Sequence, residues 1–139
     1  MSLVIDASLT VTWYFDDAAT PATERLLDSV SETGAVVPML WRLEVANAFQ
    51  SAIRRRRISA SYRDRSLSEL MNMPIVVDPD TDAYAWTTTL RLAERFALTV
   101  YDSTYLELAQ RRSLPMATLD TALRAAATTL GITVLGLEA

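Results

Sequence analysis

The sequence predicts an α/β domain with a central five-stranded parallel sheet flanked by helices. Two observations carry this. Short β-branched runs alternate with longer stretches of helical period, which is the pattern of strand–helix–strand units with parallel pairing. Those short runs are also apolar almost throughout, as strands covered on both faces must be. With 139 residues and no linker-like segment, the chain reads as one domain over residues 1–139. A domain of that size buries roughly two-thirds of its unfolded surface, enough to fold without a disulfide or structural metal.

Taken in order, Leu3, Val4 and Ile5 open as the first strand. Thr20 and Pro21 form a good N-cap and N1 pair, Ala22, Leu26, Leu27 and Val30 form a stripe, and Gly34 is a natural stop, so a helix lies between them. Residues 35–37 are the second strand. From about residue 40 to 56, Trp41, Val45, Phe49, Ala52 and Ile53 recur at spacings of three and four, which predicts an amphipathic helix on the sheet. Ser59 or Ser61 caps the next helix, which must stop before Pro74. Residues 75–77 are the third strand. Asp80 and Asp82 lie near the start of a helix carrying Trp86, Leu90, Ala93 and Phe96. Residues 101–112 make another, with Tyr105, Leu106 and Ala109 inward. Residues 116–118 and 133–135 supply the last two strands. Between them a final helix, marked by Leu123, Ala126, Ala127 and Leu130, ends at Gly131.

Composition removes much of the catalytic menu. The chain has no His, no Cys and no Lys, and its 13 positive side chains are all Arg. This excludes a Ser-His-Asp triad, a thiol nucleophile, a Cys/His zinc site, a Schiff base and a P-loop. Gly34, Gly131 and Gly136 are the only glycines, too scattered for a dinucleotide-binding loop. Any chemistry must come from carboxylates, hydroxyls, Arg and a metal they hold. The segment from Met1 to Asp6 lacks a basic region and breaks its apolar run with a carboxylate, unlike a signal peptide. No apolar run approaches the roughly 18 residues of a membrane span, so the expected location is cytoplasmic.

Four acids stand where function is a natural reading. Asp6 directly follows the first strand and Asp120 follows the strand ending at Thr118. Ligands of open parallel sheets bind beyond the carboxyl ends of strands. Asp102 begins the helix that leads toward Asp120, and Glu44, three residues after Trp41, borders an apolar helical stripe. Each acid also has an ordinary structural role open to it. Asp6, Asp102 and Asp120 suit helix N-caps or turns, and Glu44 suits a solvated helix edge. If the four converge, their mutual repulsion demands a cation or bound protons. An all-oxygen donor set selects Mg²⁺ or Mn²⁺.

At these residues the chain resembles the PIN-domain ribonucleases, and most closely the VapC-like toxins of type II toxin–antitoxin systems. The matching blocks are Val4-Ile5-Asp6-Ala7-Ser8, Pro38-Met39-Leu40-Trp41-Arg42-Leu43-Glu44-Val45-Ala46-Asn47-Ala48, Tyr101-Asp102-Ser103-Thr104-Tyr105-Leu106-Glu107-Leu108-Ala109 and Ala117-Thr118-Leu119-Asp120-Thr121-Ala122-Leu123. They occur in family order and span nearly the whole chain. The resemblance implies a sheet of order 3-2-1-4-5, with Asp6, Glu44, Asp102 and Asp120 as the acidic site for Mg²⁺ or Mn²⁺. It implies an endoribonuclease, a homodimer, and a cognate antitoxin as partner; because metal-activated water rather than the 2′-OH would attack, the products should carry 5′-phosphate and 3′-hydroxyl ends. Ser8 and Thr118 fall where the family often has a hydroxyl near the metal, although a hydroxyl capping a local turn is an equal reading. Asn47, one helical turn from Glu44, either faces the site or is a helix-edge amide.

A net charge of -4 argues against broad nucleic-acid binding, which depends on phosphate neutralisation. Local charge offers a route. Arg54, Arg55, Arg56 and Arg57 end the Glu44 helix, and either track RNA phosphates or serve as a cationic helix terminus. Arg63 and Arg65 follow. Arg111 and Arg112, at the end of the Asp102 helix, better suit the terminus role. Trp13, Tyr14 and Phe15 suit core or interface rather than base stacking. Apolar contacts with a partner are expected on the helix starting near Thr20 and on the one after Ser59. Two other functions stay open: a non-catalytic protein- or RNA-binding module whose acids are tied up in Arg pairs, and an aspartyl-phosphate phosphohydrolase with Asp6 as nucleophile. The second lacks the usual Lys and has Ser8 where a second Asp is wanted.

Overall fold

Val4 sits at the middle of the sheet, opposite Val36 on one side and Met116 on the other, and is wholly buried. The computed structural model describes residues 2–137. Its strands are β1 (Leu3–Ile5), β2 (Ala35–Val37), β3 (Ile75–Val77), β4 (Met116–Ala117) and β5 (Val134–Leu135). All pairings are parallel and the order is β3-β2-β1-β4-β5, as the resemblance implied. The order reverses between β1 and β4, so the crevice lies where Asp6 leaves β1 and Thr118 leaves β4. No helix among the described residues is long and apolar enough to cross a membrane.

Seven α-helices among the described residues flank the sheet: α1 (Ala7–Thr12), α2 (Pro21–Thr33), α3 (Trp41–Arg54), α4 (Ala60–Met71), α5 (Thr88–Phe96), α6 (Val100–Arg112) and α7 (Thr121–Thr129). Local chemistry sets several boundaries. Thr20 and Thr23 form a reciprocal capping box at the start of α2, with Pro21 at N1. Gly34, at φ 85°, closes that helix by donating to the Val30 carbonyl, and a Cβ there would come within 2.9 Å of the Pro74 carbonyl oxygen. Ser59 caps α4. On α3, Trp41, Val45, Phe49 and Ala52 are buried, so the predicted stripe faces the sheet. Tyr105, Leu106 and Ala109 of α6 are buried as expected.

Four expectations change. The six-residue α1 has no counterpart among the elements the sequence predicts; it is too short to show a stripe of its own. The helix expected from Asp80 begins only at Thr88, after a 3-10 turn at Asp82–Tyr84, and Trp86 is 90% exposed in the intervening turn rather than packed inward. Thr87, at φ −120° and ψ −98°, interrupts the helical path. Leu90 is also exposed. Asp102 is not an N-cap: Thr99 caps α6 by accepting from the Asp102 amide at 3.0 Å, which places Asp102 inside the first turn. Arg111 and Arg112 do more than end a helix. Arg111 grips buried Asp78 through both terminal nitrogens, at 2.6 and 3.2 Å, and Glu107 through Nε at 2.7 Å; Arg112 adds 2.9 Å to Asp78.

Trp13, Tyr14 and Phe15 pack partly buried against the core, the last two against Phe49. The apolar stripe of α2 faces inward, with Leu26 and Val30 buried. The large apolar side chains left exposed lie mainly elsewhere: Leu43 on α3, Val76 on β3, Trp86 and Tyr101, with only Met71 on the helix after Ser59.

Candidate active site

Asp6 continues the β1 ladder, its amide donating to the Ala117 carbonyl at 3.2 Å, and then starts α1. Its Oδ1 accepts the Leu9 amide at 2.8 Å, so the acid is an N-cap, one of the two roles its place after a strand allows. Its Oδ2 accepts from the Thr118 hydroxyl. Both carboxylate oxygens are fixed, and the side chain is only 6% exposed. Across the crevice, Asp120 caps α7 by accepting the Leu123 amide at 2.8 Å, and its own amide donates to the Thr118 hydroxyl oxygen at 3.1 Å. Thr118 therefore ties the two acids together. Arg124 braces that residue from behind, donating to the Thr118 carbonyl at 2.7 Å and to the Leu135 carbonyl at 2.9 Å.

Glu44 reaches the same region from α3. Its Oε1 accepts the Tyr105 hydroxyl of α6 at 2.5 Å, one turn beyond Asp102 on that helix. The four acids share one electrostatic field. Asp6 is pushed up to about 6, chiefly by burial, with the Asp102 and Asp120 charges adding to it and the Thr118 and Leu9 hydrogen bonds opposing. Glu44 is raised by burial and by the Asp102 charge, against the Tyr105 bond. Asp102 is raised by burial and by the Asp120 charge, with the Thr99 hydroxyl opposing.

Among the described residues no Arg ion pair relieves this repulsion. Among the described residues the Arg side chains pair with Asp17, Asp64, Asp78 and Glu107 and with none of the four site acids. Nor do three acidic side chains among the described residues close into a preformed metal cage. That donor set still suits a hard cation. Mg²⁺ dehydrates reluctantly and is held through one or two carboxylates with water completing its shell. Asp6, Glu44 and Asp102, raised beside the Asp120 carboxylate and without a described Arg pair, provide what such an ion needs.

Other predicted residues fall differently. Thr118 is buried in the site, whereas Ser8 and Asn47 are exposed and make no described bond to the acids. The Arg run divides. Arg54 bonds to Ser51, and Arg57 is held by Asp17 at 2.8 Å and stacks over Phe15. Arg55 and Arg56 are exposed without a described pairing, and Arg56 turns the chain at φ 57°. About 15 Å of helix axis separates Arg54 from Glu44 at the usual rise of about 1.5 Å per residue. Two residues escape a reading of the sequence. Tyr105 is visible there only as an inward core residue. Asp78 has a usable signal, since it follows β3 directly as Asp6 follows β1.

Fold and site together define a parallel α/β domain with an acidic crevice at the point where its strand order reverses. A family model for the PIN domain matches residues 3–128, and the chain belongs to that family. PIN domains are in general metal-dependent nucleases. Among solved structures, the crystal structure of PAE2754 from Pyrobaculum aerophilum is similar at a TM-score of 0.67 and 22% identity, over 94% of this chain and 93% of that one. FitAcB from Neisseria gonorrhoeae is similar at 0.59 and 16%, over 98% and 97%. At these identities the likeness is one of fold. No curated protein matches the sequence.

Proposed function

We propose that the chain is a Mg²⁺- or Mn²⁺-dependent endoribonuclease and the toxin of a type II toxin–antitoxin pair, acting in the cytoplasm. One observation carries the nuclease reading: burial, with the Asp102 and Asp120 charges, raises Asp6, Glu44 and Asp102, while none of the four acids has an Arg ion pair among the described residues. A binding module with its acids tied up in Arg pairs fits less well, because the pairs lie on other acids. The VapC-like blocks in the sequence support the toxin assignment.

In this reading Asp6, Glu44, Asp102 and Asp120 hold the ion, directly or through water. When bound, such an ion lowers the pKa of water and neutralises charge on the phosphodiester. The chain's residues do the rest. Thr118 and the Leu9 amide keep Asp6 from rotating, and the Leu123 amide does the same for Asp120. One of the acids takes a proton from the attacking water as its oxygen bonds to phosphorus; the bond to O3′ breaks, and the departing O3′ takes a proton from solvent water. The products carry 5′-phosphate and 3′-hydroxyl ends. Exposed Arg55 and Arg56 are available to RNA phosphates, and exposed Leu43, Met71, Val76 and Trp86 offer apolar surface to an antitoxin or a second copy of the chain.

The test is end-mapped cleavage of total RNA in Mn²⁺, in EDTA, and with Asp102→Asn. Discrete cuts with 5′-phosphate ends, lost in both controls, support the proposal. Cuts that leave 2′,3′-cyclic phosphates, or that survive the controls, overturn it.

A further inference from the structure

A large buried aromatic ring needs no hydroxyl to fill space, and Phe would serve the core equally well at position 105. The Tyr105 ring is 1% exposed, so its hydroxyl position is set by packing. That hydroxyl is placed between two elements of the acidic crevice. Its proton goes to Glu44 Oε1 at 2.5 Å, and the Ala7 amide, next to Asp6, faces the same oxygen. A phenol has one proton to donate, so the donation to Glu44 is spoken for and none is left for Asp6.

Glu44 has the opposite character. It is a flexible side chain, half-buried at a helix edge between exposed Leu43 and Asn47, and it feels the Asp102 charge. Repulsion favours its swinging out to solvent, and fixing its rotamers costs side-chain entropy. A short bond to an ionised acceptor is among the stronger hydrogen bonds. Burial and the neighbouring Glu44 and Asp6 charges raise the phenol above its ordinary range, which keeps it a donor.

We propose that Tyr105 is a positioning residue: its immobile hydroxyl holds the Glu44 carboxylate in the crevice with Oε2 left for a divalent cation, and it affects cation binding only through Glu44. The inference rests on the reading of the four acids as a cation site, and its experiment separates the two. Mn²⁺ affinity is measured by calorimetry for the intact chain, Tyr105→Phe, Glu44→Ala and the double variant, with a metal-free melting curve for each. Tyr105→Phe is expected to weaken Mn²⁺ about tenfold in the Glu44 background and by less than twofold in the Glu44→Ala background. Affinity within twofold of the unaltered chain, or the same loss in both backgrounds, overturns the positioning role while leaving the cation site intact. An unaltered chain that binds no Mn²⁺ overturns both. If Tyr105→Phe does not fold, proton NMR of the unaltered chain decides. A slowly exchanging Tyr105 hydroxyl proton that is lost in Glu44→Ala supports the role; one that exchanges freely, or persists in Glu44→Ala, contradicts it.

Discussion

Arg111 on α6 and Asp78 at the end of β3 are joined by a two-pronged ion pair, 33 positions apart in sequence, whose carboxylate is wholly buried. Arg112 adds a second pair and Thr81 a hydroxyl; Thr81 in turn accepts the Met39 amide of the loop leading into α3. The cluster therefore links the helix carrying Asp102 and Tyr105 to the approach of the helix carrying Glu44. Removing one partner of a buried pair strands the others. Asp78→Ala is expected to destabilise the chain by about 3–5 kcal/mol, measured as a fall in the urea midpoint at unchanged slope.

Two of the buried carboxylates, Asp78 and Asp6, give the metal-free chain opposing pH dependences. Burial alone would raise Asp78, but the Arg111 and Arg112 hydrogen bonds and the Arg111 charge outweigh it and bring it to about 2. That folded value lies below the ordinary 3.8, so on the order of 2 kcal/mol of stability is present above pH 4 and lost as pH falls toward 2. Asp6, at about 6, lies above its ordinary value. The folded state then binds more protons between pH 4 and 6, and stability falls as pH rises through that window. Melting curves in EDTA should show a maximum near pH 4 to 5, with a decline on each side.

Asp6→Asn isolates the second limb. Asn caps helices about as well as Asp, and the substitution removes a charge that folding holds against two others. The metal-free variant is expected to be more stable than the unaltered chain at pH 7, by up to about 3 kcal/mol, and to lose the decline between pH 4 and 6. The same variant should not cleave RNA. Thermal melting in EDTA and a cleavage assay check the two halves; stability gained where activity is lost is the expected trade where like charges are gathered for function.

The double substitution Arg55→Gln, Arg56→Gln should leave stability nearly unchanged, since neither side chain has a described pairing. RNA binding should weaken, and the slope of log affinity against log salt should become shallower by about 0.7 for each phosphate that an arginine no longer neutralises. Filter binding across a salt series measures it. Arg57→Gln differs, because it breaks the Asp17 pair.

Much of the fold is legible in the sequence because its signals are local. Thr20, Pro21 and Gly34 mark both ends of α2, and the Trp41, Val45, Phe49 spacing marks the buried face of α3. Asp6 and Asp120 are legible as acids after strands. What stays hidden depends on residues distant in sequence. Tyr105 gains its significance from Glu44, 61 positions away, and Asp78 from Arg111. The helix predicted from Asp80 fails for a local reason: Trp86 and Leu90 continue the apolar spacing of a helix that the backbone at Thr87 breaks.

Whether the four acids form one cation site is decided by a calorimetric titration of Mn²⁺ into the metal-free chain at pH 7.5, beside Asp102→Asn. Saturable binding to the unaltered chain is expected, weakened at least tenfold in the variant while its fold is kept. Absence of binding, or equal affinity in both, would contradict the assignment of Asp6, Glu44, Asp102 and Asp120 as one cation site.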